Sequence, residues 1–374
     1  MKKDPLVTVL MAVYNGERYL KSSIESVLNQ TFGDFEFLII NDCSTDDSVK
    51  MCESFNDERI MIHHNEQNIG QTKSLNVGLK IARGKYIARM DADDKAFPAW
   101  LEKLTSYAES HQGYAAIGVT AYAINKTGKL KKILRTPKTF EEVIFHTFFG
   151  NAMNHVGALI NREILLKMGG YNEEFRITQD YELWSSLIRN NYRLNSIDDA
   201  LVAVRVHESS LGYVAEKGRG LMEVSETIHR NVRSLSTLKI SFEDAVRLRM
   251  FYRFPENLSL EDFSKTHILY KEIFSHLKKE VSIGRELIKY KMRKTMLIPY
   301  SKRIIFEIEN KQTDSARHLI KDYQNEYGFN MTQLLLYIVS FLGRKMLRGL
   351  LLVYMKMHQK AVNIKVINDV PEER

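Results

Sequence analysis

Gly84-Lys85-Tyr86-Ile87-Ala88-Arg89-Met90-Asp91-Ala92-Asp93-Asp94 is a short apolar run led by a glycine and stopped by three carboxylates within four residues. Like charges this close repel one another, and the cost is relieved when a cation binds among them. Hard divalent metals take oxygen ligands of this kind, magnesium commonly through one or two carboxylates plus substrate phosphates. A solvated acidic loop is the bland alternative. Position in the fold separates the two, and the residues before the run supply that position.

Three earlier apolar runs, Val7 to Val13, Phe35 to Ile40 and Arg59 to His63, alternate with helical periodicity over Arg18 to Gln30, after Ser44, and over Thr72 to Arg83. Repeated β-α units with near-continuous apolar strands predict a parallel sheet covered on both faces. In such sheets ligands bind at the carboxyl ends of the strands. Those ends carry Tyr14-Asn15-Gly16-Glu17, Asn41-Asp42, Asn65 to Gly70, and Asp91 to Asp94, so each is polar or acidic. The acidic tetrad therefore falls where a ligand site belongs.

Beyond Pro98 the pattern is mixed: a helix, strand-like Ala115 to Ile124, a Thr127-Gly128 turn, a second strand into Arg135, and an apolar segment at Val156 to Ile160. Gly169-Gly170-Tyr171, a helix from Gln179 and a strand over Leu201 to Val206 follow. From about Val214 the signal is helical, with Pro255 and Pro299 as punctuation.

The 374 residues, 44% hydrophobic and 27% charged, suit an enzyme-sized globular protein. Two cysteines, Cys43 and Cys52, make no disulfide framework, which points to a reducing compartment, the cytoplasm. The net charge of +8 is uneven: residues 1–200 carry 24 Lys+Arg against 26 Asp+Glu, and residues 201–374 carry 30 against 20. The basic half calls for an anionic partner. Between Glu326 and Asp369 there is no acid, and Arg344, Lys345, Arg348, Lys356, Lys360 and Lys365 interrupt apolar stretches. The longest uncharged run, Tyr327 to Gly343, reaches 17 residues, short of the roughly 20 that span a bilayer. A basic amphipathic helix lying on the inner face of the cell membrane is the expectation. Exposed apolar helix faces would equally serve a homodimer. Leu, Ile and Met interleave the basic residues at helical spacing, which disfavours nucleic acid.

Thr8-Val9-Leu10-Met11-Ala12-Val13-Tyr14-Asn15, Leu28-Asn29-Gln30-Thr31-Phe32, Phe37 to Asp46, Asn68-Ile69-Gly70, Ser74 to Gly78, Ala82 to Ala88 and Asp91-Ala92-Asp93-Asp94 form an ordered set. Together they resemble the family-two glycosyltransferases of the GT-A fold, of the type that builds bacterial surface polysaccharides. The likeness continues more loosely through Gly169-Gly170-Tyr171, Gln179 to Trp184 and Arg205-Val206-His207. It implies a Rossmann-like, mostly parallel sheet flanked by helices over residues 1–214, the catalytic domain; the helical, basic signal beyond predicts an all-helical domain over 215–374.

The resemblance also implies roles. Ala12, Tyr14 and Glu17 would line a nucleotide pocket, with Tyr14 near the base and Asp42 accepting from it. Such an acceptor suits the N3–H of uracil, although guanine also offers N–H donors. Asp91 would face the ribose, and Lys73, read as lying in the loop after the third strand, would add positive charge. Asp93 and His207 would hold Mn2+ or Mg2+ against the diphosphate. Asp180 matches the general base of an inverting transfer to a hydroxyl of a glycan or lipid-linked acceptor; here the usual acidic pair is Gln179-Asp180. His155 and Trp184 are placed on the acceptor side, with packing in the core as the alternative for each. No Gln-x-x-Arg-Trp motif is present, which points to one sugar per binding event.

Two other readings compete. A nucleotidyltransferase should show a Gly-rich loop with a basic residue after the first strand, and this loop has one Gly16 and an acid, Glu17. A decayed membrane-binding scaffold, freed from metal chemistry, would have no need to keep Asp42, Asp91, Asp93 and Asp180 intact.

Overall fold

Strands β1 (Val7–Val13) and β2 (Phe35–Asn41) are buried along almost their whole length, which requires cover on both faces of the sheet. The computed structural model describes residues 4–207, 218–277, 281 and 283–328. Among them a nine-stranded sheet runs in the order β3-β2-β1-β4-β8-β6-β9-β5, with β7 paired to β6. Strands β3 (Ile60–His64), β2, β1 and β4 (Tyr86–Arg89) are mutually parallel, with Val13 opposite Asn41 and Leu10 opposite Arg89. The chain builds outward from β1 to β2 and β3, then crosses back to place β4 on the other side of β1. That reversal is a topological switch point, where the crevice at the strand ends accepts ligands.

Helices α1 (Glu17–Leu28), α2 (Ser48–Glu53) and α3 (Gln71–Ile81) link these strands. On α1 the buried residues Leu20, Ile24 and Val27 recur at helical spacing and face the sheet. On α3 a Cβ at Gly78 would come within 2.3 Å of Leu10 Cδ1, so glycine is what permits this close packing.

The second half of the sheet is mixed. After β5 (Lys95–Ala96) and helix α4 (Trp100–Ser110) come β6 (Tyr114–Ile124), β7 (Leu130–Leu134), α5 (Phe140–His146), β8 (Leu159–Asn161), α6 (Arg162–Lys167), α7 (Gln179–Arg189) and β9 (Arg193–Arg205). Strand β8 is antiparallel to both β4 and β6, while β9 runs parallel to β6 over most of its length. The strand expected at Leu201 begins eight residues earlier, at Arg193, because pairing with β6 continues through register irregularities that break its alternation. β5 escaped the sequence reading: two residues pairing with Ala203 and Val202 make no periodic signal. Helices α5 and α6, capped by Thr139 and Asn161, are likewise too short for periodicity to reveal.

The remaining helices are α8 (Gly218–Leu235), α9 (Phe242–Arg253), α10 (Leu260–Ser275), α11 (Arg285–Glu309) and α12 (Thr313–Tyr327). Pro299 does not punctuate: it lies inside α11, where it removes one backbone donor. Pro255 opens a 3-10 turn, Pro255–Asn257. Compactness divides the chain into two units, one comprising the residues up to Arg249 with Tyr270–Ile283, the other Met250–Leu269 and the residues from Gly284 onward. In the second unit the His267 ring meets the Tyr300 and Tyr327 hydroxyls. No helix among the described residues is long and apolar enough to cross a membrane. The basic amphipathic helix expected between Glu326 and Asp369 lies almost wholly outside the described residues.

The base of the sheet carries a polar clamp. Glu36, buried in β2, accepts from the Thr8 hydroxyl at 2.7 Å, the Arg83 backbone N–H at 2.8 Å and Arg83 Nε at 2.7 Å. The Gly84 N–H donates to Thr8 Oγ1 at 2.9 Å, and a Cβ on Gly84 would stand 2.4 Å from the Thr8 backbone nitrogen. Backbone cannot yield as a side-chain tip can. Gly84→Ala is therefore expected to cost at least about 2 kcal/mol, read as a lower urea midpoint; a variant as stable as its parent would contradict this packing.

Candidate active site

At the carboxyl ends of β1 and β2 two loops interlock. Asn15 adopts a left-handed φ of 50° and its side-chain oxygen accepts from the Thr45 N–H at 2.8 Å. The Gly16 N–H donates to Ser48 Oγ, the Glu17 N–H to Asp46, and the Asp47 N–H back to the Glu17 carboxylate. Glu17 is thus committed to the clasp. Above it Tyr14 is 51% exposed, an aromatic face open to solvent, and Ala12 is half-buried below. Asp42 is only 2% exposed. Its carboxylate accepts from Asn65 Nδ2 at 2.8 Å and from the Ile69 and Gly70 N–H groups at 2.9 and 2.8 Å, so it shapes the loop between β3 and α3. Lys73, expected in that loop, is instead an exposed residue in the first turn of α3, because the helix starts directly after Gly70.

Past β4 the three carboxylates diverge. Arg89, fully buried, places its guanidinium against Asp91 Oδ1 at 2.5 Å and also donates to the Leu10 and Met90 carbonyls. Asp91 Oδ1 accepts a second bond, from Gln71 Nε2 at 2.9 Å, and Gln71 in turn accepts from Gln179 Nε2 at 2.8 Å. Asp93 lies 2.8 Å from His207 Nε2. Burial and the Asp91 charge raise the Asp93 carboxyl above its ordinary value, and His207 only partly offsets them. Asp94 is buried and accepts from the Arg205 N–H at 2.6 Å; burial and its two acidic neighbours push it well above the carboxylate range.

β5 explains this convergence. By pairing with the end of β9 it brings Arg205 and His207 back over the acidic turn. The Arg205 guanidinium then donates to the Asp93 carbonyl at 2.9 Å and lies 4.2 Å from the Tyr19 ring centre, a cation–π contact.

Asp180 sits at the start of α7. Its carboxylate accepts from Asn151 Nδ2 at 2.5 Å and from the Tyr181 N–H at 2.8 Å. Burial dominates and pushes its pKa up to about 6, with a further contribution from the Asp91 charge. A carboxylate titrating there is ionised at neutral pH yet basic enough to take a proton. The Gln71–Gln179 bridge links this helix start to Asp91. Asn76 of α3 fixes the approach to it, accepting from the Tyr171 N–H at 2.8 Å and donating to the Tyr171 carbonyl at 2.9 Å.

His155 and Trp184 are enclosed, so the acceptor-facing position expected of them is not where they lie. His155 Nε2 meets the Tyr171 hydroxyl at 2.9 Å, and burial beside Arg89 holds the imidazole well below its usual pKa, hence neutral. Trp184, 0% exposed, donates to the Met153 carbonyl. Both belong to the packed interior. Gln71 and Asn151 were not singled out from sequence, since nothing local marks them.

The strand ends thus carry an exposed aromatic face, an Asp–His pair and, linked to them through Gln71 and Gln179, an aspartate of raised pKa, the kind of perturbed group that clusters at functional sites. The glycosyl transferase family 2 profile matches residues 8–169. An uncharacterized glycosyltransferase of Methanocaldococcus jannaschii is 37% identical over 208 residues, covering 54% of this chain and 71% of the relative. The O-antigen biosynthesis glycosyltransferase WbnJ of Escherichia coli is 31% identical over 213 residues, covering 55% of this chain and 81% of WbnJ. Among solved structures, S. aureus TarS 1-349 in complex with UDP-GlcNAc superposes with a TM-score of 0.54 at 17% identity, covering 82% of this chain and 92% of that one. The fold is of the GT-A type. The chain belongs to glycosyl transferase family 2, and it is a glycosyltransferase.

The environment of Asp180 has a consequence for stability. Its folded pKa of about 6 exceeds the ordinary 3.8, so the folded state favours the proton. The penalty is absent below the unfolded value and complete above the folded one. Asp180→Asn is expected to stabilise the protein by on the order of 1–2 kcal/mol at pH 7.5, after allowance for partial exposure. That gain should vanish near pH 4 in thermal melts; a gain independent of pH would contradict the shift.

Proposed function

We propose that the enzyme transfers one sugar from a nucleoside diphosphate sugar, a UDP-sugar foremost, to a hydroxyl of a glycan or lipid-linked acceptor, inverting the anomeric centre. The observation that carries this reading is the pairing of Asp93 with His207 at the switch point, with Asp180 joined to the same strand end through Gln71 and Gln179. Relatives named for O-antigen and teichuronic acid biosynthesis, and a structural neighbour crystallised with UDP-GlcNAc, support a surface-polysaccharide role. The basic C-terminal half supports a place in the cytoplasm against the inner face of the membrane.

The donor set suits Mn2+ or Mg2+. Asp93 offers a carboxylate destabilised by burial and by Asp91, and His207 offers an imidazole beside it, leaving diphosphate and water oxygens to complete the shell. When bound, the cation would neutralise charge developing on the leaving diphosphate. The chain's own groups do the rest. Tyr14 presents its ring to the base, Ala12 leaves room beneath it, and Asp42 with Glu17 holds the surrounding loops. Asp91, turned by Arg89 and Gln71, faces the ribose. Asp180 takes the proton of the acceptor hydroxyl as that oxygen bonds to the anomeric carbon and the carbon–diphosphate bond breaks. The neutral His155 and Trp184 keep the wall behind the acceptor cleft dry.

Calorimetric titration with UDP, GDP and CDP, each with manganese and with chelator, tests the donor class. Metal-dependent preference for UDP is expected, and Asp93→Ala should abolish it; tight metal-dependent binding by that variant would remove its assigned role. Asp180→Asn should bind UDP as the parent does while turnover falls by about 10²–10⁴-fold, and near-normal turnover would remove Asp180 as base.

A further inference from the structure

We infer that Glu223, on α8 and outside the matched family segment, is a positioning residue that fixes the backbone delivering Asp180. The inference rests on the reading of Asp180 as base.

The segment entering α7 has a problem of its own. The first N–H groups of a helix lack intrahelical acceptors, and the residue before α7, Thr178, gives no side-chain cap. Glu223, 45 residues beyond Thr178, supplies acceptors for the peptide N–H groups that lead into the helix, that of Thr178 included. Its Oε1 accepts from the Arg176 N–H at 3.0 Å, and its Oε2 from the Ile177 and Thr178 N–H groups at 2.9 and 3.0 Å. The Thr178 hydroxyl adds a fourth bond at 3.3 Å. Three consecutive peptide groups are thus tied to one carboxylate, and the next residues are Gln179 and Asp180.

The carboxylate is built to stay charged there. Burial alone would raise its pKa, but Arg219 Nε at 2.8 Å and the backbone donors outweigh it and hold Glu223 below its usual value. Farther along α8 the grip on α7 continues: Arg189 donates to Asn231 Oδ1 at 2.7 Å, and Asn231 donates to Ser185 Oγ and the Thr147 carbonyl. Arg230 reaches Glu182. Helix α8 is therefore braced against the helix that carries Asp180, and Glu223 acts at the end where Asp180 sits. The charge at this site decides more than packing does. A glutamine of the same shape would turn an NH₂ group toward backbone donors and leave N–H groups unpaired.

The test uses the full chain and needs no substrate. Hydrogen exchange followed by mass spectrometry reads the peptide containing Arg176 to Thr178, and 13C-carboxyl NMR reads the titration of Asp180, assigned by its loss in Asp180→Asn. The groups facing Asp180 are Asn151, the Tyr181 N–H and, at longer range, Asp91 and Tyr171. In Glu223→Gln the amides should exchange roughly tenfold faster. The Asp180 midpoint should fall by about half a unit or more toward the ordinary range as water enters. Should that variant fail to fold, Glu223→Asp, one methylene short, should show the same changes in smaller measure. Exchange and midpoint both matching the parent would overturn the inference alone. Turnover that survives Asp180→Asn would instead sink the base reading on which it rests, so the two failures are distinguishable.

Discussion

A buried guanidinium holds the site together. Arg89 ends β4 with no exposed surface, and its charge is met by Asp91 at 2.5 Å and by the carbonyls of Leu10 and Met90. Removing Asp91 would strand the Arg89 charge in a low-dielectric interior, a cost of several kcal/mol. The pair therefore fixes the direction in which the chain leaves the sheet. Asp91 turns toward Gln71, Asp93 toward His207, and Asp94 back into the protein to receive the Arg205 N–H. One strand end thus sorts three adjacent carboxylates into three environments. The same positive charge helps keep His155 neutral in the wall behind.

The arrangement makes the acidic turn a poised rather than a relaxed structure. Asp93 and Asp180 are both held above their ordinary carboxylate range by burial, and both feel the charge of Asp91. Each shift is stability given up in the absence of ligand. On the proposed roles, a bound cation would recover it at Asp93 and the acceptor's proton at Asp180. The polar clamps elsewhere in this unit, Glu36 on Arg83, Asp42 on the loop after β3 and Asn76 on Tyr171, hold the scaffold against that strain.

Strands β1, β2 and β4 and the acidic turn were legible in the sequence because a strand buried on both faces writes a continuous apolar run, and three aspartates in four residues have no cheap place in a fold; β3, the part-exposed edge strand, showed only through its short apolar stretch. The strand-end positions of Asp42, Asp91 and Asp93 followed from that frame. Lys73 was assigned to the loop although the periodicity over Thr72 to Arg83 already put it in a helix, and it lies in the first turn of α3. β5 was invisible at two residues, although its pairing with β9 brings His207 to Asp93. Gln71 meets Gln179 across 108 residues, and Glu223 meets the start of α7 across 45. Such contacts leave no local pattern, since a side chain chosen for one distant partner looks like any exposed polar residue. For His155 and Trp184 the sequence left acceptor side and core open, and their burial decides for packing.

In the proposed transfer Asp180 acts from the face opposite the departing diphosphate, which would fix the stereochemistry of the product. Time-resolved proton NMR of the sugar released from an α-linked UDP-sugar into water, recorded before mutarotation, reads it directly. The β anomer should appear first. Initial release of the α anomer would mean retention, and Asp180 could not then be the base of a single in-line displacement.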